Sequence, residues 1–509
     1  MNPIGLATWL RRRAERDGGR PAVTFAGETL SFAALQRGVE DLADVLSACG
    51  VHPGDRVAYV GFNHSRFLTA LFATARLGAI FVPLNFRFTG SELAHNIEDS
   101  GARLIMADDA HTAPVDEVRE GLDIRCFLRL GAGTDGWDGV DDLLAGNQPH
   151  VEEAVVDADS PAMILYTSGT TGRPKGAILT HRNVWTSNVN WMLAVNYNAD
   201  HVALTSAPLF HSGGMCVMTL PVLMAGGHVV VHAHFDAGAL LDDIERYRVT
   251  SLFMVPAMML STSTHERFVT ADLSSVRIIV AGAAPVPEPM LRLYGERGIP
   301  VSQCWGLTEA TTGATFLGTD RALDKLGSCG TAGVLNEVRL IDFDGNVLTT
   351  PWVHGELCVR GDTVTPGYWN LPEATMAALT PGGWLRTGDV AYQDEDGYYY
   401  IADRLKDMVI SGGENVYPAE VESVLYGHPS VAEVAVIGAP DERWGERVVA
   451  VVVLVQGAQL ELEELREFAG ARLARYKLPL ELRIVDVLPR NTTGKVLKHE
   501  LRAMTGTGV

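Results

Sequence analysis

The chain has 509 residues, 47% of them hydrophobic, and a formal net charge of −21. That length exceeds what one hydrophobic core usually serves and predicts two or more domains. The acidic balance, with no basic tract, argues against a nucleic-acid partner. The longest clean apolar run, Val448 to Val455, suits a strand and is far too short to span a membrane.

Cys49, Cys126, Cys216, Cys304, Cys329 and Cys358 are scattered, with no CxxC and no histidine at metal spacing. They predict reduced core thiols in a cytoplasmic protein. The first twenty residues lack an apolar signal core. Leu6, Trp9 and Leu10 share one helical face and are expected to dock on the body. Residues 1–150 alternate strand and helix signals, as stacked α/β layers do. A strand is expected at Arg56–Val60, a helix over 65–77 with Phe67, Leu71 and Ala75 on one face, and a strand over 78–83. Residues 130–157, rich in Asp and Gly, read as a surface excursion.

The apolar run Ala162 to Tyr166 then leads into Thr167, Ser168, Gly169, Thr170, Thr171, Gly172, Arg173, Pro174, Lys175 and Gly176. A buried strand followed by glycines lets backbone N–H groups turn toward an anion. Four hydroxyls and one lysine add donors suited to a polyphosphate. The stretch is not a Walker A, because Lys175 is followed by Gly176 and the glycine spacing differs.

Thr180 to Asn183 reads as a helix start. In the run from Ala207 to Gly214, small residues leave space beside Phe210 and His211, and the run continues to Met215. The apolar stretch 251–259 is broken by Pro256, with its methionines read as core filler. Val276 to Val280 reads as a buried strand ending at Ala281, Gly282, Ala283, Ala284 and Pro285, where a flat ring could approach closely. Trp305, Gly306, Leu307, Thr308 and Glu309 follow another strand, placing an aromatic four residues before a carboxylate. Such a carboxylate can hold Mg²⁺ beside phosphates, a role needing few oxygen ligands. Short alternating strands over 330–370 predict a β subdomain, and Asp389 is expected at a strand end after Gly388. Beyond 400–407 the pattern changes to a small α+β unit of about 100 residues. Its expected helices are 418–425 and 461–475, with strands at 432–438, 447–455 and 482–487. Pro418 suits a first helical position.

These blocks, in this order, resemble the adenylate-forming superfamily, and within it the acyl-CoA synthetases and AMP-dependent ligases. The resemblance runs from about Ala22 to Leu501. It implies an α/β fold: a large N-terminal adenylation domain (1–403) of two α/β layers plus a β subdomain, a hinge at 404–406, and a small mobile α+β C-terminal domain (407–509). The implied chemistry is attack of a carboxylate on the α-phosphorus of ATP, loss of pyrophosphate, and transfer of the acyl group from AMP to a thiol. Coenzyme A is the implied acceptor, with the phosphopantetheine of an acyl carrier protein as the alternative. A homodimer is compatible with the family, and a decayed nucleotide-binding protein is disfavoured by the intact motif residues.

Residue by residue, the resemblance assigns the loop 167–175 to the phosphates, with Thr167 and Glu309 at the magnesium ion. Gly282, Ala283, Ala284, Trp305, Gly306 and Thr308 border the nucleotide. Asp389 takes the ribose, Arg404 reaches the nucleotide, and Lys406 is the swivel. Lys495 is the catalytic cation of the first step. Gly412 and Gly413, with Trp444 nearby, attend the approach of pantetheine. His211, Gly213, Met215, Ala257, Ala283, Gly306 and Gly313 line the acid pocket, a small and apolar set without a buried charge. Trp305 departs from the usual tyrosine. His211, where amino-acid-activating domains carry an aspartate, disfavours an ordinary α-amino acid; the resemblance points to a fatty or aromatic acid, with an unusual acid as the alternative.

Overall fold

The protein is described here from a computed structural model covering residues 4–146, 148–167, 174–284, 286–490 and 496–505. Among the described residues, four sheets build it. A seven-stranded sheet runs in the order 138–139, 126–129, 104–107, 56–60, 80–84, 161–167, 175–180, parallel except for its last antiparallel pair. Its inner strands are β-branched and apolar, and Val57, Val60 and Val82 are fully buried, as befits parallel strands covered on both faces. A nine-stranded sheet has a parallel core of 228–231, 202–205, 251–254, 278–281 and 301–305.

Leu6–Asp17 forms the first helix, and Leu6, Trp9 and Leu10 are buried against the body, Trp9 edge-on to Phe72. Each such side chain contributes about 1.5–3 kcal/mol on burial. The strand Arg56–Val60 and the helix Ser65–Arg76 stand where the periodicity puts them. Thr180 caps the helix His181–Val195 in a capping box with Asn183, an arrangement of about 1 kcal/mol.

Three expectations are corrected. The 130–157 segment is not a mere excursion: Asp138–Gly139 adds an edge strand, a helix spans Val140–Ala145, and Trp137 and Val140 are buried. One buried indole outweighs the polar composition around it. The second helix of the C-terminal unit is Leu462–Gly470, shorter than 461–475. Asp389 lies inside the long strand Leu385–Gln393, not at a strand end. Gly388 before it has φ +70°, and the pairing slips on both flanks, so the chain kinks there without ending the strand.

That strand belongs to an antiparallel five-stranded sheet ordered 347–348, 337–341, 355–360, 385–393, 399–404. After a turn at 405–407 the chain enters the fourth sheet, built on the long pair Val431–Asp441 and Gly445–Leu454. Gly412 and Gly413, both at positive φ, close its hairpin 409–416, the geometry a two-residue turn requires. Val421, Leu425, Val436 and Leu465 give this small unit its own core. Among the described residues, no helix is long and apolar enough to cross a membrane.

Candidate active site

The strand Pro161–Thr167 ends at the glycine-rich stretch and the chain returns as Lys175–Thr180, with Thr167 paired to Lys175. Ser168, Gly169, Thr170, Thr171 and Gly172 lie outside the described residues, as does Lys495. Around the described ends of the loop, polar groups converge. The Thr167 hydroxyl lies 3.5 Å from Glu309 Oε1 and 3.4 Å from the carbonyl of Lys175, both at the outer limit of hydrogen bonding. Tyr368 donates its hydroxyl to Glu309 Oε1 at 2.8 Å, and Lys175 Nζ stands 5.2 Å from the centre of the same ring. Burial, and then Glu309, push the Tyr368 phenol far above its usual range, so it stays a donor. Sequence reasoning missed Tyr368. It comes 59 residues after Glu309, in a stretch whose place is set by backbone bonds to Gly176 and Ile178, and nothing local signals that pairing.

Glu309 and Thr167 thus form a small oxygen donor set. Among the described residues, no cluster of three or more His, Cys, Asp or Glu accompanies it. One carboxylate and one hydroxyl are donors of the type that hold Mg²⁺ together with substrate phosphates.

A second constellation surrounds Asp389. The Trp305 indole N–H donates to Asp389 Oδ2 at 2.9 Å, and Arg404 Nε lies 3.2 Å from Oδ1. Trp305 and Asp389 are both buried. The strand Val301–Trp305 of the nine-stranded sheet supplies the tryptophan and the antiparallel five-stranded sheet supplies the other two. Each carboxylate oxygen keeps a lone pair free for a diol. Ala283 and Ala284, after the strand Ile278–Ala281, are exposed, and Ala283 takes the left-handed φ of +68°, a conformation costly for a residue with a Cβ and typical of functional loops. Thr308 is buried with its hydroxyl 3.0 Å from that of Ser212, so it braces the His211 loop.

Beside these groups lies a cavity of about 460 Å³. Phe86, Phe235, Phe253 and His211 give it aromatic walls, and Ala207, Gly214, Ala257 and Ala283 leave it room. Burial lowers the His211 pKa to about 4. Its Nδ1 accepts from the Gly213 N–H at 3.0 Å, so the ring is neutral and carries its hydrogen on Nε2.

Of the expected pocket residues, His211, Ala257 and Ala283 line this cavity; Gly213, Met215, Gly306 and Gly313 do not. Met215 is fully buried in the core. The glycines answer to packing. A Cβ on Gly213 would meet Phe253 at 3.1 Å, on Gly306 the Thr312 carbonyl at 2.0 Å, and on Gly313 the Phe316 and Trp191 rings at 2.8 Å. Arg87 and Arg490 also contribute to the lining, but both are exposed, so no buried charge enters the wall. Arg490 comes from the C-terminal unit, five positions before Lys495. Lys406 is exposed in the turn between the units. Gly412 and Trp444 are brought together, the Gly412 N–H donating to the Trp444 carbonyl at 2.8 Å.

Residues 10–369 match the family model of AMP-binding enzymes and residues 420–495 that of the AMP-binding enzyme C-terminal domain. The chain is similar to feruloyl-CoA synthase of Amycolatopsis sp (44% identity, 99% of this chain and 100% of that protein). It is also similar to indoleacetate–CoA ligase of Aromatoleum aromaticum (41% identity, 98% of each). Among solved structures, o-succinylbenzoate CoA synthetase from Bacillus subtilis, in complex with its acyl-adenylate intermediate, superimposes with a TM-score of 0.87 at 34% identity, over 97% of each chain. With matches of this extent on both its units, the chain belongs to the family of AMP-binding enzymes.

Proposed function

We propose that this AMP-forming acyl-CoA synthetase activates an aromatic carboxylic acid and passes it, through an acyl-adenylate, to the thiol of coenzyme A. The observation that carries the acid class is the cavity wall of Phe86, Phe235, Phe253 and neutral His211, with alanines and a glycine between them. Flat rings pack there edge-on or offset, and Ala283, proposed to border the nucleotide, is among the lining residues. The names of the feruloyl and indoleacetate relatives support the same class.

In the first half-reaction the carboxylate attacks the α-phosphorus and pyrophosphate leaves. The protein's part is positioning and charge stabilisation. The 167–175 loop holds the phosphates. Asp389, oriented by Trp305 and Arg404, takes the ribose hydroxyls. Glu309 and Thr167 hold Mg²⁺, which when bound neutralises phosphate charge. Lys495 supplies the mobile cation, and the reach of Arg490 to the acid cavity supports that role.

In the second half-reaction the thiol attacks the acyl carbonyl and AMP leaves. The C-terminal domain (407–509) turns about 404–406 on the large domain (1–403), withdrawing Lys495 and bringing up the Gly412–Gly413 turn beside Trp444. We place the enzyme in the cytoplasm, in keeping with its free cysteines.

The test is acid-dependent pyrophosphate exchange across cinnamic-type, arylacetic and straight-chain acids, followed by thioester assays with coenzyme A and with a carrier protein. Aromatic acids should give the highest kcat/KM, with coenzyme A as acceptor. Preference for straight chains, or for the carrier protein, would replace that part of the proposal. ADP formation would overturn it entirely.

A further inference from the structure

The turn that joins the two units carries two buried aspartates, Asp403 just before it and Asp407 as its last residue. Both are met by cations from one helix, Lys498–Thr505, which begins three residues after Lys495. Lys498 and Arg502 are spaced i, i+4 and so share one helix face. Arg502 pairs with Asp407 at 2.8 Å, and Lys498 Nζ lies 3.9 Å from Asp403 and 2.8 Å from Glu422.

The two aspartates differ in what they hold together. Asp407, Glu422, Lys498 and Arg502 all belong to the C-terminal unit and move as one. Asp403 is the penultimate residue of the last strand of the large unit, Tyr399–Arg404. Its Oδ2 accepts the Ala419 backbone N–H at 2.8 Å, in the first turn of the C-terminal unit's helix Pro418–Leu425. A carboxylate on the first N–H groups of a helix is favourable, and here it also faces Lys498. Alongside, His354 of the large unit stacks on Tyr417 of the small one, 4.5 Å between centroids and 10° from parallel. These contacts accompany the orientation in which Arg490 lines the acid cavity. Any large rotation about 404–406 parts Asp403 from both Ala419 and Lys498.

We propose that Asp403 and Lys498 are positioning residues for the adenylation half-reaction: their contact across the joint holds the small domain in the orientation that serves ATP chemistry and releases it for the thiol step. The proposal rests on the two-orientation reading above.

Its test separates the half-reactions. Asp403→Asn keeps an acceptor for the Ala419 N–H and removes only the charge. Acid-dependent pyrophosphate exchange should fall about tenfold, as expected when one orientation loses its bias. Consumption of preformed acyl-adenylate by coenzyme A should stay within about twofold of wild type or rise. Asp403→Glu should recover part of the exchange rate. His354→Ala, which breaks the stack from the large unit's side, should shift the same ratio in the same direction. A thermal melt of each variant checks folding. Equal loss in both half-reactions, in either variant, overturns the proposal. Lys406→Pro serves as the control on the underlying reading: it should impair thioester formation more than adenylation. If it does so while Asp403→Asn shows no split, the inference alone fails. If Lys406→Pro slows both steps equally, the two-orientation reading fails and takes the inference with it.

Discussion

The side of the site proposed for the nucleotide and the cavity proposed for the acid are built on opposite plans. On the nucleotide side each carboxylate is already held: Asp389 by Trp305 and Arg404, Glu309 by Tyr368. On the acid side the wall is mainly ring and methyl surface around one neutral histidine. A pre-oriented polar set stabilises charge wherever it develops, because little reorganisation is left at the moment of reaction. An apolar wall selects by shape, where one methylene is worth about 1–3 kcal/mol. On the proposed function, the chemistry therefore rests with the first region and the choice of acid with the second.

The largest effect should come from the cation of the reacting centre. Lys495→Ala should slow adenylation by about 10²–10³ while coenzyme A still consumes supplied acyl-adenylate. Similar losses in both steps would break the division between regions. Next, Ala257→Leu should cut kcat/KM for the preferred bulky aromatic acid by about 10–100-fold, from added volume in a packed wall. It should leave the KM for ATP unchanged, and a parallel rise in that KM would show the two sides to be one site.

The smallest effect concerns stability. Like His211, His181 is held neutral by burial, its pKa lowered from 6.5 to about 4. It lies at the start of the helix following the phosphate strands, and its Nδ1 accepts the Leu6 N–H. A histidine with a lowered folded pKa binds its proton more readily when unfolded. The stability it lends is therefore complete above pH 6.5 and declines as pH falls toward 4, by up to ~3 kcal/mol. His181→Gln should flatten denaturant midpoints against pH in that window. An unchanged slope would remove His181 from the account.

Several of these features were legible in the chain itself. The 161–166 apolar run, the Thr180–Asn183 capping pair and the helix at Pro418 depend on neighbours within a few residues, and each stands where expected. The acid pocket was read less well. Met215, Gly306 and Gly313 are small or soft residues near the right motifs, yet they serve packing. A glycine that admits a ligand and one that admits a carbonyl carry the same letter.

The sequence by itself determined the order of motif blocks, the family, and the residue types available for phosphate, ribose and thiol chemistry. Local patterns and fixed spacings encode those. Only the tertiary structure decided which partners complete them: Tyr368 on Glu309, Trp305 on Asp389, Arg490 at the acid cavity, and Lys498 on Asp403. Each pair joins positions far apart in the chain, and their meeting depends on how sheets stack and domains dock, which no short-range pattern records.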